Sequence, residues 1–381
     1  MKLFQTLVTD GQWHPALNHC PFAEPALVFV FGNVEVYRAK QAEIRQQFPQ
    51  ADIVGCSSAG EIHGTQVSDN GLTLTAVKFD DCKVSIASQP LNSVDCSYNA
   101  GTELACQLPQ ENLRHLLIFS DGIQINGTAL VNGLTDHLPE EVTVSGGLAG
   151  DGEQFCQTFT WHNDKVCSGQ VIAIGLHGDA LSISHGSRGG WDTFGPKRKI
   201  TKAKDNQLYQ LDGMSALALY KKYLGEYAVG LPASGLLFPL SISFSDDRPE
   251  VVRTILGVDE DADRMTFAGE MPEGAFARLM KANFERLIDG ASDAAEAAVE
   301  TDINPDLPTL ALLVSCIGRK MVLNQRTEEE VEAVQETFGD NAMLTGFYSY
   351  GELSPVKGQH RCVLHNQTMT ITAIQERKAD A

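Results

Sequence analysis

The stretch "GCSSAGEIHG", residues 55–64, returns near the other end of the chain as "GFYSYGELSP", residues 346–355. Both fit Gly-x-x-Ser-x-Gly-Glu followed by an aliphatic residue. Gly60 and Gly351 suit a positive φ or a close backbone approach. Ser58 and Ser349 can cap exposed N–H groups. Glu61 and Glu352 then either hold a neighbouring loop or line a cleft, with Tyr348 and Tyr350 beside the second of them. An uncommon turn spelled twice points to an internal duplication.

The flanks agree. Before the first turn lie "ALVFVF" (26–31), an amphipathic run with Tyr37, Ile44 and Phe48 at helical spacing, and "ADIVG". Before the second lie "LALLVSC" (310–316), "TEEEVEAVQETF" with Val331, Val334 and Phe338 on one face, and "AMLTG". Thr327 is placed as an N-cap ahead of an acidic first turn. After the turns come "LTLTAV" (72–77) and "MTITAI" (369–374), where threonines alternate with aliphatics as in a half-buried strand. Each unit reads strand, helix, strand, glycine turn, strand, which is βαβ grammar. A looser third copy runs through "HLLIFSD" (115–121), "VTVSGGLAGDG" (142–152) and "GQVIAIGLHG" (169–178); it keeps Gly150 and an acid, Asp151, but no serine. The expectation is an α/β fold of duplicated βαβ-type units with glycine turns and mixed sheets.

Between the copies, "LSISHG" reads as a strand and "GSRGGWDTFGP" as irregular. "KRKITKAKDNQLYQLDG" reads as a hairpin turning at Asp205–Asn206, and "MSALALYKKYLG" as a helix ended by Gly225. Lys197, Arg198, Lys199, Lys202 and Lys204 form either a solvated hairpin face or a contact for an anionic group. Further on, "LLFPLSISF" and "EVVRTILGVDE" read as strands. Phe276, Leu279, Met280, Phe284 and Leu287 fall on one helical stripe, with a second helix after Gly290.

The chain of 381 residues suits two domains, and 29 basic against 49 acidic residues leave a net charge of −20. An acidic surface argues against nucleic acid and against anionic membrane. No signal peptide and no apolar run of membrane-spanning length is read. Nine scattered cysteines without a Cys-x-x-Cys fit a reduced, cytoplasmic protein. The nucleophile elbow, the Rossmann fingerprint, the Walker A loop and His-Glu-x-x-His are all missing from the sequence. A non-enzyme is therefore expected, with hydrolase-like acid–base work by Glu61 and Glu352 as the alternative.

The motifs "GCSSAGEI", "GGLAGDG", "WDTFGPKRKITKAKDNQLYQLDGMSALALY" and "GFYSYGELSP…LHNQTMTITAI" together resemble the FIST proteins, over nearly the whole chain. The resemblance implies two domains packed together, a FIST N-type sensory domain over 1–200 and a FIST C-type domain over 201–381. It implies a ligand-binding sensory module near signal-transduction proteins. "GFYSYGE" with "HNQT" is most similar to the nitric-oxide-sensing haem branch, NosP, which implies haem b, nitric oxide as ligand and a histidine kinase as partner in a two-component system. Without Cys-x-x-Cys-His the haem would be held non-covalently by an axial side chain. Of ten histidines, His365 ranks first as the metal ligand, opening "HNQT" ahead of the return strand. His185, before a glycine loop, and His177, at a strand end, follow. Asn366 can orient a ligand. A sensor of a small metabolite such as an amino acid, without haem, is the other reading, and a homo-oligomer stays open.

Overall fold

Three segments of the chain fold alike, and two of them carry the repeated turn. The computed structural model describes residues 1–244, 250–300, 303–356 and 361–377. The first segment has an edge strand Lys2–Thr9, a first strand Leu27–Gly32, a helix Val34–Gln47 and a second strand Asp52–Ser57. A short arm strand Glu61–His63 and a return strand Leu72–Lys78 complete it. The corresponding strands of the middle segment are Lys83–Pro90, Leu113–Ser120, Thr143–Leu148, Thr160–His162 and Gln170–His177. Those of the last are Leu181–Arg188, Thr309–Cys316, Ala342–Ser349, Gly351–Pro355 and Met369–Glu376.

The register fixes the equivalence. First and second strands run parallel, and Val30 faces Gly55, Ile118 faces Gly146 and Leu313 faces Gly346. A Cβ on any of these three glycines would overlap the carbonyl oxygen of the residue it faces, so only glycine fits that position. Counting on from it, Gly60 falls on Gly351 and Glu61 on Glu352, while the middle turn is one residue shorter. The looser third copy is thus a full member of the repeat.

The arms are exchanged in a cycle. Glu61–His63 pairs with the second strand of the last segment, Gly351–Pro355 with that of the middle segment, and Thr160–His162 with that of the first. The three turns are also tied to one another by backbone bonds: Ala59 N to Tyr348 O (2.8 Å), Tyr350 N to Leu148 O (3.2 Å) and Gly150 N to Ser57 O (3.0 Å). Inside the ring of sheets, Phe31 meets Phe119 edge-on at 5.2 Å and Phe347 at 4.8 Å. Buried aromatics of this kind supply both area and geometric specificity. Two of the three seams between sheets carry a hydroxyl pair, Thr75 with Thr345 (2.9 Å) and Ser145 with Thr372 (2.6 Å). The third has Val54 and Ile174 at the same positions.

A second, smaller domain, Trp191–Ala282, is inserted between the edge strand and the first strand of the last segment. Its sheet is built on the long strand Trp191–Lys204, and its core on Ile200, Leu217, Tyr220, Ile242, Ile255 and Phe267. The hairpin at Asp205–Asn206 and the helix Ala216–Leu224, with Gly225 at φ 58°, match the sequence reading.

Four readings need correction. Phe276, Leu279 and Met280 lie on a strand, Phe276–Ala282, and one helix covers Phe284–Val299 with Asn283 accepting Glu285 N at 3.1 Å. The apolar spacing served two periodicities, and Asn283 marks the change. Gly290 lies inside that helix rather than before a second one, because a Cβ there would strike Gly189 O. The glycine-rich stretch after His185 is mostly regular strand, Leu181–Arg188 and Trp191–Lys204. Thr327 is the first helical residue, not the cap; its hydroxyl donates to Asn324 O at 2.5 Å, because an extra helix, Ile317–Leu323, precedes it.

Candidate functional site

The repeated acids act as bolts. Glu61 accepts from Ser58 Oγ (2.7 Å), Ser68 Oγ (3.0 Å) and Gly71 N (3.1 Å). Glu352 accepts from Ser349 Oγ (2.9 Å), Thr368 Oγ1 (2.9 Å) and Thr368 N (3.1 Å). Gly71 and Thr368 both immediately precede the return strand, so each acid pins its turn to that strand. Burial pushes both carboxyls up, Glu352 to about 7. In the middle segment Asp151 serves its own loop instead, accepting from Phe155, Cys156 and Gln157 N.

Tyr348 and Tyr350 are bound as well. Tyr348 is buried and donates to Glu330 at 2.7 Å; Glu330 also takes Ser315 Oγ and the buried Arg319 guanidinium, at 2.9 and 2.7 Å. Tyr350 donates to Asp151 and stacks on Phe155 at 4.3 Å. Glu61 and Glu352 are not bonded to each other, and each is occupied within its own segment.

The three histidines lie in three different places. His177 donates from Nδ1 to Glu111 O (3.1 Å), and its Nε2 accepts from Ser85 Oγ (2.7 Å), in a surface cleft shared with Asp81, Lys83 and Asn112. His185 lies inside the ring of sheets, its ring 5.0 Å from that of the fully buried His115. Thr143 Oγ1 touches both, at 3.2 and 2.7 Å. Burial, then the His185 charge, hold His115 well below the usual range.

His365 ends the strand Cys362–His365, where the barrel meets the inserted domain. Its Nε2–H donates to Ser354 O at 3.2 Å, and burial lowers its pKa to about 4, with the Arg253 charge adding to the shift. The ring is therefore neutral at physiological pH, with its lone pair on Nδ1. Asn366 follows at 1% exposure, and among the described residues neither amide atom has a partner; Gln367 Oε1 lacks one too. Gln367 Nε2 donates to Leu236 O and Thr254 Oγ1, both at 3.1 Å, and Trp191 Nε1 donates to Gln367 O at 3.1 Å. The Arg253 guanidinium, 6% exposed, reaches only carbonyls: Glu270, Val252 and Leu364, at 3.3, 3.0 and 3.3 Å. This seam gathers His365 and Asn366 as read from the sequence. It adds Arg253, Trp191 and Gln367, which the sequence reading passed over. The available signal was Arg253 itself, a cation inside the apolar run "VVRTIL".

Residues 26–214 match the FIST N domain and residues 216–355 the FIST C domain. The chain belongs to the FIST family. Its domains are of a sensory type. The two matches meet within the inserted domain, so Arg253 lies in FIST C and Trp191 in FIST N, while His365–Gln367 follow the FIST C match. The chain is 23% identical over 344 residues to an uncharacterized protein of Methanocaldococcus jannaschii, covering 82% of this chain and 64% of that one. Among solved structures, a cyanuric acid hydrolase from A. caulinodans aligns over 99% of both chains at 8% identity and TM-score 0.41. A second cyanuric acid hydrolase aligns over 98% of both at 10% identity and TM-score 0.35. Neither likeness carries an argument about chemistry. No helix among the described residues is long and apolar enough to cross a membrane. Among the same residues no group of three or more His, Cys, Asp or Glu is set to hold a metal ion.

Proposed function

We propose that this FIST protein is a ligand-binding sensor whose ligand occupies the seam between the barrel and the inserted domain, and that in its sharpest form it is a haem-based nitric oxide sensor regulating a histidine kinase. The observation that supports this is the state of His365. It is neutral, and its Nε2–H is fixed by a backbone carbonyl, the arrangement that orients metal-ligating imidazoles and raises their basicity. His365 is thus the residue that would hold the iron, and Asn366, buried with an unpartnered amide, stands next to it. Bound haem would supply an iron centre for a diatomic gas. His185 and His177 rank lower: His185 shares a buried hydroxyl with His115, and both nitrogens of His177 are engaged.

Output needs a partner, because the sequence carries no kinase or DNA-binding motif. A surface of net charge −20 favours encounter with a basic patch on that partner, weakening with salt. The two ligand states must differ in kinase affinity by about 1–3 kcal/mol for the switch to work. The test is a visible spectrum of protein from haem-supplied cells, with His365→Ala expected to lose the haem. Kinase autophosphorylation in ligand-free, haem-bound and nitric-oxide-bound forms follows. Equal phosphorylation in all three, despite kinase binding, refutes the sensor reading. The second reading, a metabolite sensor without haem, is favoured by Arg253, whose guanidinium bonds only to carbonyls among the described residues.

A further inference from the structure

The inserted domain carries a buried cation that no carboxylate hydrogen-bonds among the described residues; the Glu270 carboxylate acts on it through its charge alone. Arg253 is 6% exposed, and among the described residues its hydrogen bonds go only to carbonyls, with Nη2 left without a partner. A guanidinium this deep is ordinarily paired with an acid. The chain follows that rule elsewhere, since the fully buried Arg319 is met by Glu330 at 2.7 Å. Gly269 leaves the space that the Arg253 side chain fills, and a Cβ there would press on Nε at 2.7 Å.

The second observation is independent of the charge. Asn366 is 1% exposed, and both atoms of its amide are unpartnered. It lies two residues beyond Leu364, whose carbonyl takes Arg253 Nη1. Native structures rarely leave a whole amide unsatisfied at such depth.

We infer that Arg253 and Asn366 form an anion site that takes the carboxylate group of a small ligand. A carboxylate accepts from a guanidinium edge and from an amide N–H at once, which matches the donors left over here. The inference rests on the sensor reading and names the chemistry of its ligand. The carboxylate comes either from a free metabolite or from a haem propionate.

Trp191, 7% exposed and bonded to Gln367 O, is a built-in reporter of the loop that bears Asn366. Acetate titrated into the full chain, against chloride at matched ionic strength, is expected to give a saturable change in tryptophan emission. Trp191→Phe removes the signal, and Arg253→Gln weakens binding at least tenfold. Asn366→Asp supplies a carboxylate at the proposed site; it is expected to raise the melting temperature and abolish the acetate response. That variant decides the matter if Arg253→Gln does not fold. An unaltered melting temperature and acetate response in Asn366→Asp overturns the site. So does a wild type that responds to acetate no more than to chloride and binds haemin and its dimethyl ester alike. Tighter binding of haemin than of the ester, lost in Arg253→Gln, assigns the site to a propionate. An acetate response with equal haemin and ester binding assigns it to a free metabolite. A chain that responds to acetate but takes no haem keeps the site and refutes the haem reading; haem uptake through His365 with no carboxylate response does the reverse.

Discussion

The barrel and its seam with the inserted domain treat buried polarity in opposite ways. In the barrel, Glu61, Glu352, Glu330 and Arg319 each have partners supplied within their own segment. At the seam, Arg253 and Asn366 are as deeply buried yet lack a carboxylate and an amide partner respectively. Buried charge by itself therefore does not mark function here. Incomplete pairing is what the proposed ligand site rests on.

The largest effect is expected where pairing is most complete. Glu330→Ala leaves Arg319 buried without its carboxylate, at a cost of about 3–5 kcal/mol, read as a fall in the denaturation midpoint. Arg253→Gln should cost much less, because no protein carboxylate is orphaned by it. Equal losses would erase the contrast between the two regions.

The next test is pH. Glu352 has its pKa raised from 4.5 to about 7 in the folded chain. Across that window the folded state keeps a proton that the unfolded chain releases. Stability is thus highest below pH 4.5 and falls as pH rises through 7, by up to about 3 kcal/mol. Glu352→Gln should flatten this fall in a series of melts. Glu376 works the other way: burial would raise it, but the amides of Asp80, Asp81 and Cys82 prevail and hold it at about 2. Its contribution is present above pH 4.5 and is lost as pH falls toward 2. Identical pH profiles for Glu352→Gln and wild type would mean that the turn acid stays ionised when folded.

A smaller effect separates the seams of the barrel. Thr75→Val strands the Thr345 hydroxyl and should cost about 1–2 kcal/mol, whereas the double change Thr75→Val with Thr345→Val should come close to zero. The natural precedent is Val54 against Ile174 at the third seam. The smallest expected effect is at the ligand seam. Asn366→Leu removes an amide that has no partner, so stability should move by less than about 1 kcal/mol or rise. A loss of several kcal/mol would show that the amide is satisfied after all and that the contrast fails.

The repeated turn was legible because one physical demand writes one spelling. A strand that ends in a tight turn, bolted by an acid to the return strand, needs Gly60 and Glu61 or Gly351 and Glu352 in fixed order. The middle segment demands less, since Asp151 holds its own loop and Tyr350 rather than bolting its turn to the return strand, and its signal was accordingly faint. The exchange of arms left no local trace, because pairing between Glu61–His63 and Ala342–Ser349 depends on residues far apart in sequence. Phe276–Ala282 was misread because its apolar residues satisfy two periods over a short span. Among the site residues, His365 and Asn366 were visible from their place before a return strand. Arg253 was not, since only the folded chain shows it buried with carbonyls alone as its hydrogen-bond partners among the described residues.

The cyclic exchange of arms has a consequence for how this protein comes apart. A fragment ending between the two domain matches, at residue 215, would keep Glu61–His63 but lose the strand it pairs with. It would also bare the edge of Thr143–Leu148, normally covered by Gly351–Pro355. Two open edges of this kind invite pairing with other copies and precipitation. The two sequence domains are therefore not separable folding units. The cell must hold the first while the ribosome makes the second, and the ring closes only when the last strand arrives.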